Sequence, residues 1–233
     1  EAEASQARIN QIMDQKSGIQ NTNSQVYPIH GDIEFKNVTF IYPNSGVVAL
    51  QDVKFTLKKG QRMAIMGKTA SGKTTIAELL SRMFDVTEGQ ILIDGKDIRQ
   101  HNLSIIRDRI SCVPQDVFLY SDTVAANIAF GKPDATMDEI QMYAEFASVK
   151  DDIEKLPEQF ETMVGERGVT LSGGQKQRIS IARAFIKKPD IVILDDALSA
   201  VDTSTEQSIL SFFDHSLRDK TTIVITHRAN NLL

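Results

Sequence analysis

The chain has 233 residues, 41% of them hydrophobic and 24% charged, with 26 Lys and Arg against 31 Asp and Glu for a net charge of −5. That length allows one large domain, or one and a half, with a sizeable core, and ordinary globular usage excludes collagen-like, coiled-coil and wholly disordered chains. The acidic balance argues against a dominant non-specific attraction to nucleic acid or anionic lipid, and the single cysteine, Cys112, cannot form an intrachain disulfide, as suits a reducing compartment.

Residues 1–16 set Ala2, Ile9, Ile12 and Met13 near one helical face. No apolar run approaches the roughly 18 residues needed to span a bilayer, and no signal-peptide pattern opens the chain. Residues 17–32 are polar and punctuated by Gly18, Pro28 and Gly31, which reads as a linker. Alternation at Ile33, Phe35, Val38 and Phe40 predicts a strand, with a turn at Pro43-Asn44-Ser45-Gly46. A second strand–turn–strand runs through Val53–Leu57, Lys59-Gly60 and Arg62–Met66, so the early region reads as β-rich and antiparallel. From Lys73 the period becomes helical, with Ile76, Leu79, Leu80, Met83 and Phe84 recurring at helical spacing. Strands are expected at Gln90–Ile93 and Ile110–Val113. Residues 121–188 read as mostly helical, with Pro133 and Pro157 as breaks and a Gly-rich turn at Gly165–Gly168. The β-branched run Ile191–Leu194 suits a buried parallel strand. A helix from about Thr205 to Leu217 and a strand Thr221–Thr226 follow. The arrangement predicts an α/β core with a helical insertion.

Gly67-Lys68-Thr69-Ala70-Ser71-Gly72-Lys73-Thr74 fits G-x-x-x-x-G-K-[ST], between an expected strand and an expected helix. Its glycines let backbone N–H groups turn inward around an anion, and the helix N-terminus adds partial positive charge. Lys73 supplies a cation to phosphates and Thr74 a hydroxyl to Mg²⁺, with Thr75 beside them in the same phosphate-binding set. Farther on, Ile191–Leu194 ends in Asp195 and Asp196, carboxylates at the end of a parallel strand where such sheets hold ligands. Asp195 is suited to holding Mg²⁺ through water and Asp196 to orienting or deprotonating an attacking water. Leu171-Ser172-Gly173-Gly174-Gln175 opens another helix, a second anion-seeking N-terminus. Taken alone, Ser172 reads better as a plain N-cap. Two such ends could grip one triphosphate from opposite sides if two chains face each other.

This set resembles the nucleotide-binding domain of an ATP-binding cassette (ABC) exporter. The resemblance spans roughly residues 30–230. It implies a P-loop NTPase core of mixed or parallel sheet with helices, an antiparallel β subdomain, and an α-helical subdomain at about 116–188. Residues 67–74 match Walker A, Leu171–Gln175 the LSGGQ signature, and Ile191–Asp195 Walker B. The resemblance gives Gln115 a contact to Mg²⁺ and to the membrane domain, Tyr42 the stacking of adenine, Asp202 the D-loop and His227 the switch position. Val164-Gly165-Glu166-Arg167-Gly168 resembles the loop that senses coupling helices. Implied ligands are ATP and Mg²⁺, and implied partners are a second nucleotide-binding domain and the chain's own transmembrane domain, with no nucleic acid. The implied location is the cytoplasmic face of the cell membrane, as part of an integral membrane protein. Alone, Tyr42, Gln115 and His227 read as a strand aromatic, a loop residue and a surface histidine; their order and spacing give them these roles.

Two departures matter. The family's usual carboxylate after Walker B is Glu, and here it is Asp196, one methylene shorter. A carboxylate retracted by about 1 Å can cost about 10²-fold in rate. The pattern resembles the slow half of a heterodimeric exporter whose partner carries Glu, although a homodimer, or a clamp that only holds ATP, is also open. The chain also ends at Leu233, where the family continues, and lacks the six transmembrane helices that precede. The expectation is a truncated piece of a half-transporter. Residues 1–30 would form the end of the last transmembrane helix and a linker, and 31–233 the nucleotide-binding domain. A soluble ABC ATPase of DNA repair, translation or cluster assembly is the alternative. The short, heptad-free stretch between Lys73 and Leu171 speaks against its coiled-coil repair forms.

Overall fold

A computed structural model of the chain describes residues 2–14, 18–21, 23–68, 70–165 and 169–227. In chain order these form α1 (Ala2–Met13), β1 (Ile33–Ile41), β2 (Val48–Leu57), β3 (Arg62–Ile65), α2 (Lys73–Leu80), β4 (Glu88–Ile93), β5 (Lys96–Asp97) and α3 (Leu103–Arg109). Then follow β6 (Ile110–Val113), α4 (Val124–Ala129), α5 (Met137–Phe146), α6 (Lys150–Glu154), α7 (Gly173–Phe185), β7 (Ile191–Asp195), α8 (Thr203–Ser216) and β8 (Thr221–Ile225). None of the described helices is long and apolar enough to cross a membrane. On α1, Ile9 and Met13 are exposed.

Two sheets organise the chain. The first, ordered β2-β1-β4-β5, is antiparallel, with Ile33 facing Leu57 on one side and Ile93 on the other. The second, ordered β3-β8-β7-β6, is parallel throughout. Its central strand β7 is buried along its whole length, which is what an unbroken run of Ile, Val and Leu requires. Helix α2 lies between the sheets. Its buried Ile76, Ala77, Leu79 and Leu80 share one core with Phe35 and Phe40 of the antiparallel sheet and Ile193, Ile223 and Ile225 of the parallel one. Burying each such side chain contributes about 1.5–3 kcal/mol, so α2 is held as firmly as the strands. A second core packs α4, α5 and α7 together around Ile128, Ile140, Ala144, Ile181 and Phe185.

Most of the expected elements fall where periodicity put them, but several differ. Strand β3, expected with the antiparallel region, pairs instead in parallel with β8. Helix α2 ends at Leu80, short of Met83 and Phe84, and the two-residue β5 is an addition. Strand β2 begins at Val48 rather than Val53, because its exposed and buried positions do not alternate strictly. Helix α3 is an addition. Asn102 caps it by accepting from the backbone N–H of Ser104 and Ile105, stabilising a helix too short to show a period. The polar stretch before β1 is laid against this cap. Asn21 accepts from the N–H of Leu103 at 2.9 Å, and Asn102 donates to the Asn23 carbonyl at 2.9 Å.

Candidate functional site

In a parallel sheet all strands end on one side, and three of them deliver the candidate residues there. The loop holding Gly67, Lys68 and Ser71 leaves β3, Asp195 and Asp196 end β7, and His227 follows β8. Their ends are in register, Ile65 and Asp195 both pairing with Ile225. The α/β order read from the sequence thus converges on one edge of the sheet.

The turn into α2 depends on Gly72. Its φ is +83°, and a Cβ there would lie 2.2 Å from the carbonyl oxygen of Ala49. Ala70 is also left-handed, with φ of 63°. No side chain caps the N-terminus of α2, so its first N–H groups are left for an anion. Lys73 is buried, and its ammonium donates to the carbonyls of Gly67 at 3.0 Å and Lys68 at 2.7 Å. The Thr74 hydroxyl donates to Asp195 Oδ2 at 2.7 Å. Burial raises the pKa of Asp195, with the neighbouring Asp196 charge adding to the effect. The Thr74 bond and the charges of Lys73 and His227 oppose it. Thr69 lies outside the described residues.

Asp196 takes a left-handed turn, φ 44°, directly after β7. Short Asp tolerates that region better than most residues. Its carboxylate is gripped by one residue at both oxygens. Oδ1 accepts from the His227 backbone N–H at 3.1 Å, and Oδ2 lies 3.3 Å from His227 Nε2. The Asp196 side chain is 8% exposed and the imidazole 38%, so the ring can reach outward while holding the carboxylate.

Tyr42 follows β1 and crosses to α2. Its hydroxyl donates to Glu78 Oε2 at 2.7 Å and lies 2.9 Å from the Thr75 hydroxyl. Phe40 and Phe84 meet its ring edge-on, at centroid distances of 4.9 and 5.6 Å. Burial, with Glu78 adding to it, raises the pKa of the phenol. Gln115 is exposed in the loop after β6. Beside that loop opens a groove of about 540 Å³, lined by Pro114, Asp116, Phe118, Tyr120, Phe130 and Arg183. Val164 and Gly165 are described, whereas Glu166, Arg167 and Gly168 lie outside the described residues.

Among the described residues no hydrogen bond joins residues 171–175 to residues 67–74. Leu171 is buried and Ser172 is the N-cap of α7. Its hydroxyl accepts from the Gln175 N–H at 3.2 Å, while Gln175 Oε1 accepts from the Ser172 N–H at 2.9 Å. The plain capping role is therefore realised. Gly173 and Gly174 lie against the loop after β7; a Cβ on Gly174 would sit 2.9 Å from the Ala200 carbonyl oxygen. Asp202 caps α8, accepting from the N–H of Thr205 at 3.0 Å and the Ser204 hydroxyl at 2.6 Å. Those bonds hold its carboxyl well below the usual range.

Sequence reasoning passed over two polar residues of this region, one buried and one half-buried. Gln177 is 2% exposed, yet all its polar atoms are used. It donates to the Asp196 carbonyl at 3.2 Å and the Ser199 hydroxyl at 3.0 Å, and accepts from the Ala200 N–H at 2.9 Å. One turn before Ile181, it is a glutamine on an apolar stripe, a signal that could have marked it. Arg183 donates to the carbonyls of Asn127 at 2.8 Å and Phe118 at 3.0 Å, building the groove wall onto α7.

The donor set fits a magnesium nucleotide. Thr74 and Asp195 offer hard oxygens side by side at the mouth of a turn too tight for a Cβ at Gly72. Among the described residues no cluster of three His, Cys, Asp or Glu could hold a metal unaided, so a cation here would draw its remaining oxygens from phosphate and water.

Comparison with known proteins agrees with this geometry. The family model for ABC transporters matches residues 50–199. The chain is 40% identical over 223 residues to an ATP-dependent lipid A-core flippase of Photobacterium profundum, a match covering 95% of this chain and 38% of that protein. It is 51% identical over 198 residues to the "Probable multidrug resistance ABC transporter ATP-binding/permease protein YheI" of Bacillus subtilis, covering 85% of this chain and 34% of that one. The solved structure of a bacterial Atm1-family ABC exporter with ATP bound superposes with a TM-score of 0.91 at 39% identity, over 97% of this chain and 40% of its own. The chain thus spans well under half the length of these relatives.

Proposed function

The chain belongs to the ABC transporter family, and on that premise we propose that it is the ATP-binding and ATP-hydrolysing domain of an exporter half-transporter. The observation that carries the reading is the Thr74–Asp195 contact of 2.7 Å across the end of the parallel sheet, beside the His227–Asp196 pair. Together these contacts support a site in which Asp195 would hold the metal and Asp196 would orient water beside the phosphate loop.

In this reading the loop's N–H groups and Lys73 bind the triphosphate, and Tyr42 carries the adenine. Thr74, Asp195 and Gln115 would hold Mg²⁺, which when bound would offset phosphate charge. Asp196 orients the attacking water, and His227 fixes Asp196 while its ring reaches toward the γ-phosphate. A second nucleotide-binding domain closes head-to-tail, so that Ser172–Gln175 cap the partner's triphosphate, with Asp202 at the seam. ATP then favours the closed pair by its higher affinity for it. The groove beside Gln115 and the loop at 164–168 pass the motion to the chain's own membrane helices. Residues 1–30 lead from those helices, and 31–233 form the domain, at the cytoplasmic face of a membrane. With Asp in place of Glu, this site turns over slowly and pairs with a partner that carries Glu. The soluble alternative draws no support from relatives whose names include flippase and permease.

The reading is tested by titrating ATP·Mg²⁺ into the chain and its Lys73→Ala variant by calorimetry. Saturable binding that is lost in the variant is the expected result; equal affinity for both would defeat the proposal.

A further inference from the structure

One carboxylate near the site has no role in the mechanism above. Glu78 lies on α2 one turn beyond Thr75, so the two side chains share a helix face. Both reach Tyr42, which comes from the antiparallel sheet. The phenol hydroxyl donates to Glu78 Oε2 at 2.7 Å and lies 2.9 Å from Thr75 Oγ1. Phe40 and Phe84 press edge-on against the ring. A tyrosine held at its tip by two polar partners and packed T-shaped against two aromatics has little rotational freedom left.

We propose that Glu78 is a positioning residue for base recognition, its carboxylate holding the Tyr42 hydroxyl so that the ring stands ready for a purine. This rests on the reading of the site as an ATP site and adds a residue to it. The physical case is pre-organisation. An exposed tyrosine would lose side-chain freedom each time a base stacked on it, whereas a tethered one has lost it already. The tether is a charge-assisted hydrogen bond in a half-buried setting, the stronger kind. Because Glu78 and Thr75 both stand on the helix that begins at Lys73, base platform and phosphate loop move as one body.

The test is a calorimetric titration of ATP and of inorganic tripolyphosphate, which has no base, into the chain and four variants: Glu78→Ala, Glu78→Gln, Tyr42→Phe and the double variant Tyr42→Phe/Glu78→Ala. Glu78→Ala and Tyr42→Phe are each expected to weaken ATP by about fivefold while leaving tripolyphosphate unchanged. The double variant is expected to be no weaker than either single one, and Glu78→Gln, which keeps an acceptor, to stay near wild type. Tyr42→Phe keeps the stacking ring, so its loss isolates the hydroxyl even if Glu78→Ala folds poorly. The proposal is overturned if Tyr42→Phe binds ATP as well as wild type, or if Glu78→Ala weakens both ligands alike. A wild-type chain that binds neither ligand overturns the ATP-site reading itself.

Discussion

Two helix N-termini carry the recognisable glycine motifs, and they are built in opposite ways. Helix α2 begins after a glycine in a tight turn, with no side-chain cap among the described residues. Helix α7 begins with a complete capping box, Ser172 and Gln175 satisfying each other's backbone. An uncapped end with a lysine beside it binds an anion unaided. A capped end has the N–H groups of Ser172 and Gln175 already satisfied and so offers fewer of them to a ligand. The difference supports a division of labour in which α2 serves this chain's own nucleotide and α7 the nucleotide of a partner.

The sharpest way to break that contrast is at the uncapped end. Lys73→Ala should lower ATP affinity by about two orders of magnitude, the scale expected for truncating a desolvated charge that meets another. Gly72→Ala should destabilise the chain by roughly 2–4 kcal/mol in a denaturant melt, since the residue sits at positive φ and its Cβ has no room. Next in size is Asp196→Glu, which extends the carboxylate toward the water. In the assembled transporter it should raise turnover by roughly ten- to a hundredfold, while lowering stability by about 1 kcal/mol because Glu suits the left-handed turn less well. A variant slower than wild type would mean that the short carboxylate is already at its working distance. The smallest effect concerns the thiol below the site. Burial, followed by the charges of Asp195 and Glu78, raises the Cys112 pKa from 9.0 to about 12. The folded chain therefore holds less thiolate than the unfolded one at the same pH. Iodoacetamide should label it slowly until denaturant is added; equal rates in both states would show that this region is open.

Much of this architecture is legible in the sequence because the decisive signals are local. Strands β7 and β8 announce themselves as short runs rich in β-branched residues, and the phosphate loop by glycines that a turn of this tightness demands. Strand β1 of the antiparallel sheet is read from the alternation of Ile33, Phe35, Val38 and Phe40, and the capping role of Ser172 from its place before a helix. What escapes is either short or long-range. Helix α3 has seven residues, too few to display a period. Gln177, Arg183 and Glu78 matter through partners distant in sequence, and only the folded chain brings those partners together. The polar linker looks free because the partners that anchor Asn21 and Asn23 to the cap of α3 are about eighty residues away in sequence.

The contrast between the two ends is tested most directly at Ser172. Ser172→Ala in this chain should cost about 1 kcal/mol of stability by loss of the cap and leave ATP affinity of the chain alone unchanged, while lowering turnover by the assembled full-length transporter. If ATP affinity of the single chain fell with the substitution, or if turnover by the assembly were untouched, the division of labour between α2 and α7 would be contradicted.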